Sequence, residues 1–88
     1  MRYEWDDAKA AANEARHGVS FSVAERFDWS AALTREDDRY DYGETRWRAL
    51  GTIDGRVHVI VFTWRSETIR IISLRKANPR ERREYERA

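Results

Sequence analysis

Arg46-Trp47-Arg48-Ala49-Leu50-Gly51-Thr52-Ile53-Asp54-Gly55-Arg56-Val57-His58-Val59-Ile60-Val61-Phe62-Thr63-Trp64-Arg65 is the stretch on which the fold turns. Asp54-Gly55 is a two-residue hairpin signal, because the tight turns that match strand twist need positive φ, which Asp and Gly tolerate. The flanking runs, Arg46–Ile53 and Arg56–Arg65, are therefore expected as antiparallel strands. The second is apolar on both faces through its middle, so it belongs at the centre of a sheet. After a turn at Ser66-Glu67, Thr68–Lys76 makes a third strand. Its alternation is imperfect, with Ile69, Ile71 and Ser73 on one face and Arg70, Ile72 and Leu74 on the other.

Outward from this hairpin the pattern changes period. Residues 32–35 read as a short strand and residues 36–44 as a polar, acidic loop. Upstream, residues 8–17 are alanine-rich and helix-forming, with Asp6 or Asp7 as N-cap and Gly18 as the terminator. Ser20 caps a second helix over residues 21–27, whose Phe21, Ala24 and Phe27 form an apolar stripe. Tyr3-Glu4-Trp5 alternates as a short strand. Downstream, Asn78-Pro79-Arg80-Glu81 combines a cap, a proline at the first helical position and a capping-box glutamate. The helix it starts, to about residue 87, has little apolar surface and is expected to dock weakly or move. The expectation is a single α+β domain over residues 1–88, with two N-terminal helices packed on an antiparallel sheet and a short C-terminal helix.

The chain has 88 residues, too few for a separate cofactor domain, and no cysteine, so neither disulfides nor a thiolate zinc site supports it. No apolar run reaches membrane-spanning length, and the first residues lack the apolar stretch of a signal peptide; the cytoplasm is the expected location. The net charge of +1 conceals a split. Residues 1–44 carry −5 and residues 45–88 carry +6, and fifteen of the seventeen basic side chains are arginine. A basic half points to an anionic partner, and arginine's planar fork suits phosphate.

His17 and His58 lie far apart in the sequence without HxxxH or HExxH spacing, so no metal site is expected. His17 is read as favouring the helix C-terminus through positive charge, and His58 as a sheet residue. No serine stands in a nucleophile elbow and no glycine-rich phosphate loop is present. What remains is a basic surface: Arg46, Arg48, Arg56, Arg65, Arg70, Arg75 and Lys76 on three strands, then Arg80, Arg82, Arg83 and Arg87. Trp47, Trp64 and Tyr85 accompany them. Arginine with aromatics is a surface for RNA, with charge on phosphates and rings on unpaired bases. The bland alternative is a solvated face paired with Glu67, Glu81 and Glu84. Cleavage through the 2′-OH needs phosphorane stabilisation, which arginine supplies without metal, and a general base or acid. His58, Glu44, Glu67 and Tyr85 are the candidates.

Several blocks then resemble one family. Trp5-Asp6-x-x-Lys9-x-x-x-Asn13, Arg16-His17-Gly18-Val19-Ser20-Phe21, Glu44-x-Arg46, Arg70-Ile71-Ile72-Ser73-x-Arg75-Lys76-Ala77 and Glu81-Arg82-x-x-Tyr85-Glu86 are similar to BrnT toxins. The pattern departs at Trp29-Ser30, where Asp-Pro is common, and at Leu74, where alanine is commoner. The resemblance implies a fold similar to the RelE ribonuclease toxins and inhibition of translation by metal-independent RNA cleavage, with no cofactor. It implies a BrnA-type antitoxin with a ribbon-helix-helix domain, two toxins assembled with two antitoxins, and operator DNA contacted only through the antitoxin. On this resemblance Arg65 and Arg75 are expected to stabilise phosphate charge, and Glu44 or Tyr85 to assist proton transfer. Arg46, Arg48, Lys76 and Arg82 are expected to hold RNA. A loop-anchoring ion pair is the structural alternative for Glu44 and Arg46. A non-catalytic module, acting as co-repressor or scaffold, is the alternative function.

Overall fold

Strand β4 (Arg56–Arg65) is the middle of the sheet, as its apolar run requires. The computed structural model describes residues 1–88 and orders five strands β1-β5-β4-β3-β2. Here β1 is Arg2–Glu4, β2 is Leu33–Asp37, β3 is Arg46–Ile53 and β5 is Thr68–Lys76. The Asp54-Gly55 turn has φ of 51° and 80°, both positive as that hairpin class demands. From β2 to β5 every pairing is antiparallel, but β1 runs parallel to β5. The sheet is thus mixed rather than antiparallel throughout. A parallel partner needs a long crossover, and residues 5–67 supply it.

The imperfect alternation of β5 has a local cause. Val61 pairs with Ser73 and Phe62 with Ile71, so Ile72 is an extra residue in a β-bulge. The bulge rephases the strand, and Ile69, Ile71 and Leu74 all enter the core, at 0–2% exposure. The expected grouping of Leu74 with Arg70 and Ile72 is therefore corrected.

One face of the sheet receives helix α1 (Asp7–His17) and the segment after it. Asp6 caps α1 through Lys9 N, and Gly18 N closes its end on Glu14 O at 2.8 Å. The second expected helix is a 3-10 helix, Phe21–Arg26, capped by Ser20 and followed by a 3-10 turn at Trp29–Ala31. Its stripe recurs every three residues, which is the 3-10 period and not the α period. Phe21, Ala24 and Phe27 are all buried. Phe27 lies over Gly51, where a β-carbon would come within 2.5 Å of its ring. Trp29 packs edge-on against both Phe27 and Phe62 and donates its indole N–H to Tyr3 Oη at 2.7 Å.

Because β1 spans only three residues, the distal half of β5 has no strand along its outer edge. Asn13 of α1 fills that edge. Its amide donates to Leu74 O at 2.7 Å and to Val19 O at 3.2 Å, and its oxygen accepts from Leu74 N at 3.3 Å. One side chain thus imitates a strand partner, which accounts for a buried polar residue in an alanine helix.

The C-terminal helix α2 (Pro79–Arg87) lies over the opposite face, against β3. The capping box forms as expected, with Glu81 N donating to Asn78 Oδ1 and Asn78 N donating to Glu81 Oε1. As expected, α2 brings little apolar surface to the sheet. Glu81 is buried and clasped by two arginines of the sheet, so charge takes the place of apolar area. No helix is long and apolar enough to cross a membrane.

Candidate functional site

Strand alternation sends Arg35, Arg46, Arg48, Arg65 and Arg75 to the face that α2 partly covers. These arginines divide between two carboxylate centres. At one end of the sheet, Glu44 lies 3.4 Å from Arg46 and 3.9 Å from Arg65. The Arg46 guanidinium also sits over the Tyr42 ring, 4.1 Å from its centroid, a cation–π contact that holds the arm out of water. The loop before β3 is fastened by Thr63, whose hydroxyl donates to Thr45 O at 2.6 Å. Glu44 is therefore presented by a braced turn, between two cations, with its side chain one-third exposed.

Asp37 forms a neighbouring anchor. It was expected within the acidic loop, but it ends β2 and is buried. The Arg39 fork donates to both its oxygens, at 2.8 and 3.0 Å, and Tyr42 Oη donates at 3.2 Å. The Arg39 hydrogen bonds hold the Asp37 carboxyl below its ordinary range. No group of three or more metal-ligating side chains converges anywhere in the chain.

The second centre is Glu81. Arg75 grips it with a two-pronged contact at 2.8 and 2.9 Å, Arg48 donates at 3.2 Å and Asn78 N at 2.9 Å. These donors, Arg75 foremost, lower its pKa to about 2. Glu84, one turn later, pairs with Arg35 at 3.2 Å and reaches Arg48 at 4.0 Å. The α2 acids Glu81 and Glu84 reach across to the sheet rather than to the arginines of their own helix. The long-range pairs Arg35–Glu84 and Arg48–Glu81 had no local sequence signal. The capping spacing marked Glu81, and the solvated-face alternative named Glu81 and Glu84 as partners of the basic surface without saying which arginines they meet.

The remaining expected site residues lie elsewhere. Arg65 is in register with Thr68 and Arg75 with Val59, six residues apart along β4. That is roughly 20 Å at about 3.3 Å per residue, too far for one phosphate to touch both backbone positions' side chains closely. Lys76 pairs with His58 and lines a groove on the other face. Tyr85 stands beside Ala31, Ala32 and Leu33, at the opposite end of β2 from Asp37. Arg82 is exposed on α2. The structure therefore brings Glu44, Arg46 and Arg65 together, and separately Arg48 and Arg75, but does not join all eight. His17, expected to favour a positive charge, is instead shifted toward the neutral form by burial and by the nearby Arg16 and Arg75.

Comparison with curated proteins returns no match. A family profile described as the ribonuclease toxin BrnT of a type II toxin–antitoxin system matches residues 5–81. The match runs from the β1–α1 junction through β5 to Glu81, and so takes in both carboxylate centres and Asn13. The chain belongs to the BrnT family of type II toxin–antitoxin ribonuclease toxins.

Proposed function

We propose that the chain cleaves RNA without a metal, at Glu44, Arg46 and Arg65, in a RelE-like manner. The observation that carries this is the Glu44 carboxylate held between two guanidiniums on one exposed rim. In the reaction Glu44 takes the proton of a ribose 2′-OH. The 2′ oxygen bonds to the adjacent phosphorus, the bond from phosphorus to the 5′ oxygen breaks, and that oxygen takes a proton from solvent. Products are a 2′,3′-cyclic phosphate and a 5′-OH end. Arg65 and Arg46 face the phosphorane's extra negative charge, where fixed cations act most strongly. Arg48, Lys76 and Arg82 serve as outlying phosphate contacts, and Arg75 enters only where α2 gives way. Tyr85, beside the other end of β2, belongs to substrate or partner contact.

The partner in this reading is a BrnA-type antitoxin with a ribbon-helix-helix domain, in a two-and-two assembly that reaches operator DNA through the antitoxin. Glu81 and Glu84 already neutralise Arg35, Arg48 and Arg75. An antitoxin segment would cover or displace α2 to control that surface. The test is expression of the wild type and of Glu44→Gln with Arg65→Ala. Wild type halts translation, and primer extension maps new RNA ends. The double variant, folded by circular dichroism, loses about 100-fold or more of the cleavage. Undiminished toxicity of the folded variant refutes the site, and intact RNA around the wild type favours the non-catalytic module.

A further inference from the structure

His58 has no part in the reaction above, yet it is the one polar side chain among Val57, Val59, Ile60, Val61 and Phe62. It is 6% exposed and lies on the core face, opposite Gly51. Its Nδ1 is 2.8 Å from the carbonyl oxygen of Arg56. A carbonyl only accepts, so Nδ1 carries the proton and Nε2 keeps a lone pair. Nε2 has no partner within the chain, while every fully buried side-chain nitrogen or oxygen has one. Nε2 is therefore open to the groove of about 360 Å³ that His58 lines with Gly18, Ser20, Arg56 and Lys76.

The charges around that groove do not cancel. Arg26 and Asp54, also on its wall, pair with each other at 3.0 Å. Arg56 and Lys76 take part in none of the ion pairs of the molecule. Burial, helped by the charges of Arg56 and Lys76, outweighs the opposing hydrogen bond to the Arg56 carbonyl and the charge of Asp54, so His58 is held below its ordinary pKa and is neutral at pH 7. The groove thus offers an unpartnered hydrogen-bond acceptor beside two cations that have no ion-pair partner. A simple anion would leave the acceptor unmatched, and a neutral alcohol would leave the cations unmatched. A hydroxyl adjoining a phosphate satisfies both, and in RNA that pair is the 2′-OH and the 3′-phosphate.

We infer that this groove is a ribonucleotide subsite, in which His58 Nε2 accepts from a 2′-OH while Arg56 and Lys76 hold the neighbouring phosphate. RNA as the source of that ribose rests on the ribonuclease reading; the acceptor and the cations do not. His58 and Arg65 are seven residues apart on β4, roughly 23 Å. The subsite therefore anchors a segment of the strand distant from the reacting phosphate and selects RNA over DNA there.

The test uses the full chain at pH 7, titrated with uridine 3′-monophosphate and with 2′-deoxyuridine 3′-monophosphate. Affinity is read by calorimetry, and the His58 ring protons are followed by NMR. The ribonucleotide binds about tenfold tighter, one hydrogen bond's worth, and moves the His58 signals. Arg56→Ala with Lys76→Ala weakens both ligands alike, and His58→Phe removes the difference between them. Equal affinities for the wild type, or His58 signals that stay still, overturn the inference without recourse to any variant. Mononucleotide binding is an equilibrium without cleavage, so this result is independent of what Glu44 and Arg65 substitutions do to RNA.

Discussion

Replacing Glu81 by glutamine removes one charge and almost no volume, and so isolates what the carboxylate does for α2. The folded carboxyl titrates at about 2 against an ordinary 4.5. That gap is worth about 3 kcal/mol as an upper figure. The Arg48 and Arg75 side chains are 27% and 32% exposed, so they regain some water once the charge is gone. The net cost at pH 7 is then about 2 kcal/mol, which lowers the unfolding midpoint by roughly 8–16 °C in a domain of this size. The sign of the pH dependence follows from the lowered pKa. The stabilisation is complete above the unfolded pKa near 4.5 and disappears as pH falls through the folded value near 2. Urea unfolding of wild type and Glu81→Gln at pH 7 and pH 3 measures this, with about half of the difference gone at pH 3. A cost below about 0.5 kcal/mol at pH 7, or one that does not shrink with acid, would refute the claim that charge fastens α2.

Gly51→Ala drives a methyl to within 2.5 Å of the Phe27 ring and is expected to cost about 1–3 kcal/mol, read as a drop in thermal midpoint. Adding Phe27→Leu should recover part of it. Asn13→Ala strips Leu74 of its edge partner and leaves two carbonyls short of a donor. A loss of about 2–3 kcal/mol, with faster hydrogen exchange at the Leu74 amide, is the expected result. Asp37→Asn weakens the hold of the buried Asp37 side chain on the largely exposed Arg39 and loosens the loop that carries Glu44; limited proteolysis within residues 38–44 should accelerate. RNA cleavage by the purified chain should continue undiminished in excess EDTA, and abolition by the chelator would defeat the metal-free scheme.

The strands were legible because their signals are local. The Asp54-Gly55 turn and the apolar run after it located β3, β4 and β5 with the bounds they have. The second helix was legible in existence but not in kind. Its three-residue stripe carried the 3-10 period, and the length of six residues left no room for an α pattern to show otherwise. The parallel pairing of β1 with β5 had no signal, since its partners are separated by most of the chain. The bulge at Ile72 was visible only as a blemish in alternation. At the candidate site, Glu44 and Arg46 could be joined by sequence because they are two residues apart. Their meeting with Arg65 depended on hairpin register, and the division between Arg65 and Arg75 on six residues of β4. Nothing in the sequence marked His58 as facing a groove with its Nε2 free. That follows from the Arg56 carbonyl, two residues away and turned onto its ring.

Strand β5 takes β1 on one side, β4 on the other, and Asn13 of α1 at the unpaired end of its edge. Residues from the first thirteen positions of the chain and from β4 thus converge on the nine positions of β5. Until β5 has been made, β1 has no strand to pair with, β4 has a bare edge and the Asn13 amide has no Leu74 backbone to meet, although Phe27 and Trp29 can already cover part of β3 and β4. A chain interrupted before Thr68 therefore lacks the common partner of three elements at once: β1, β4 and the Asn13 side chain.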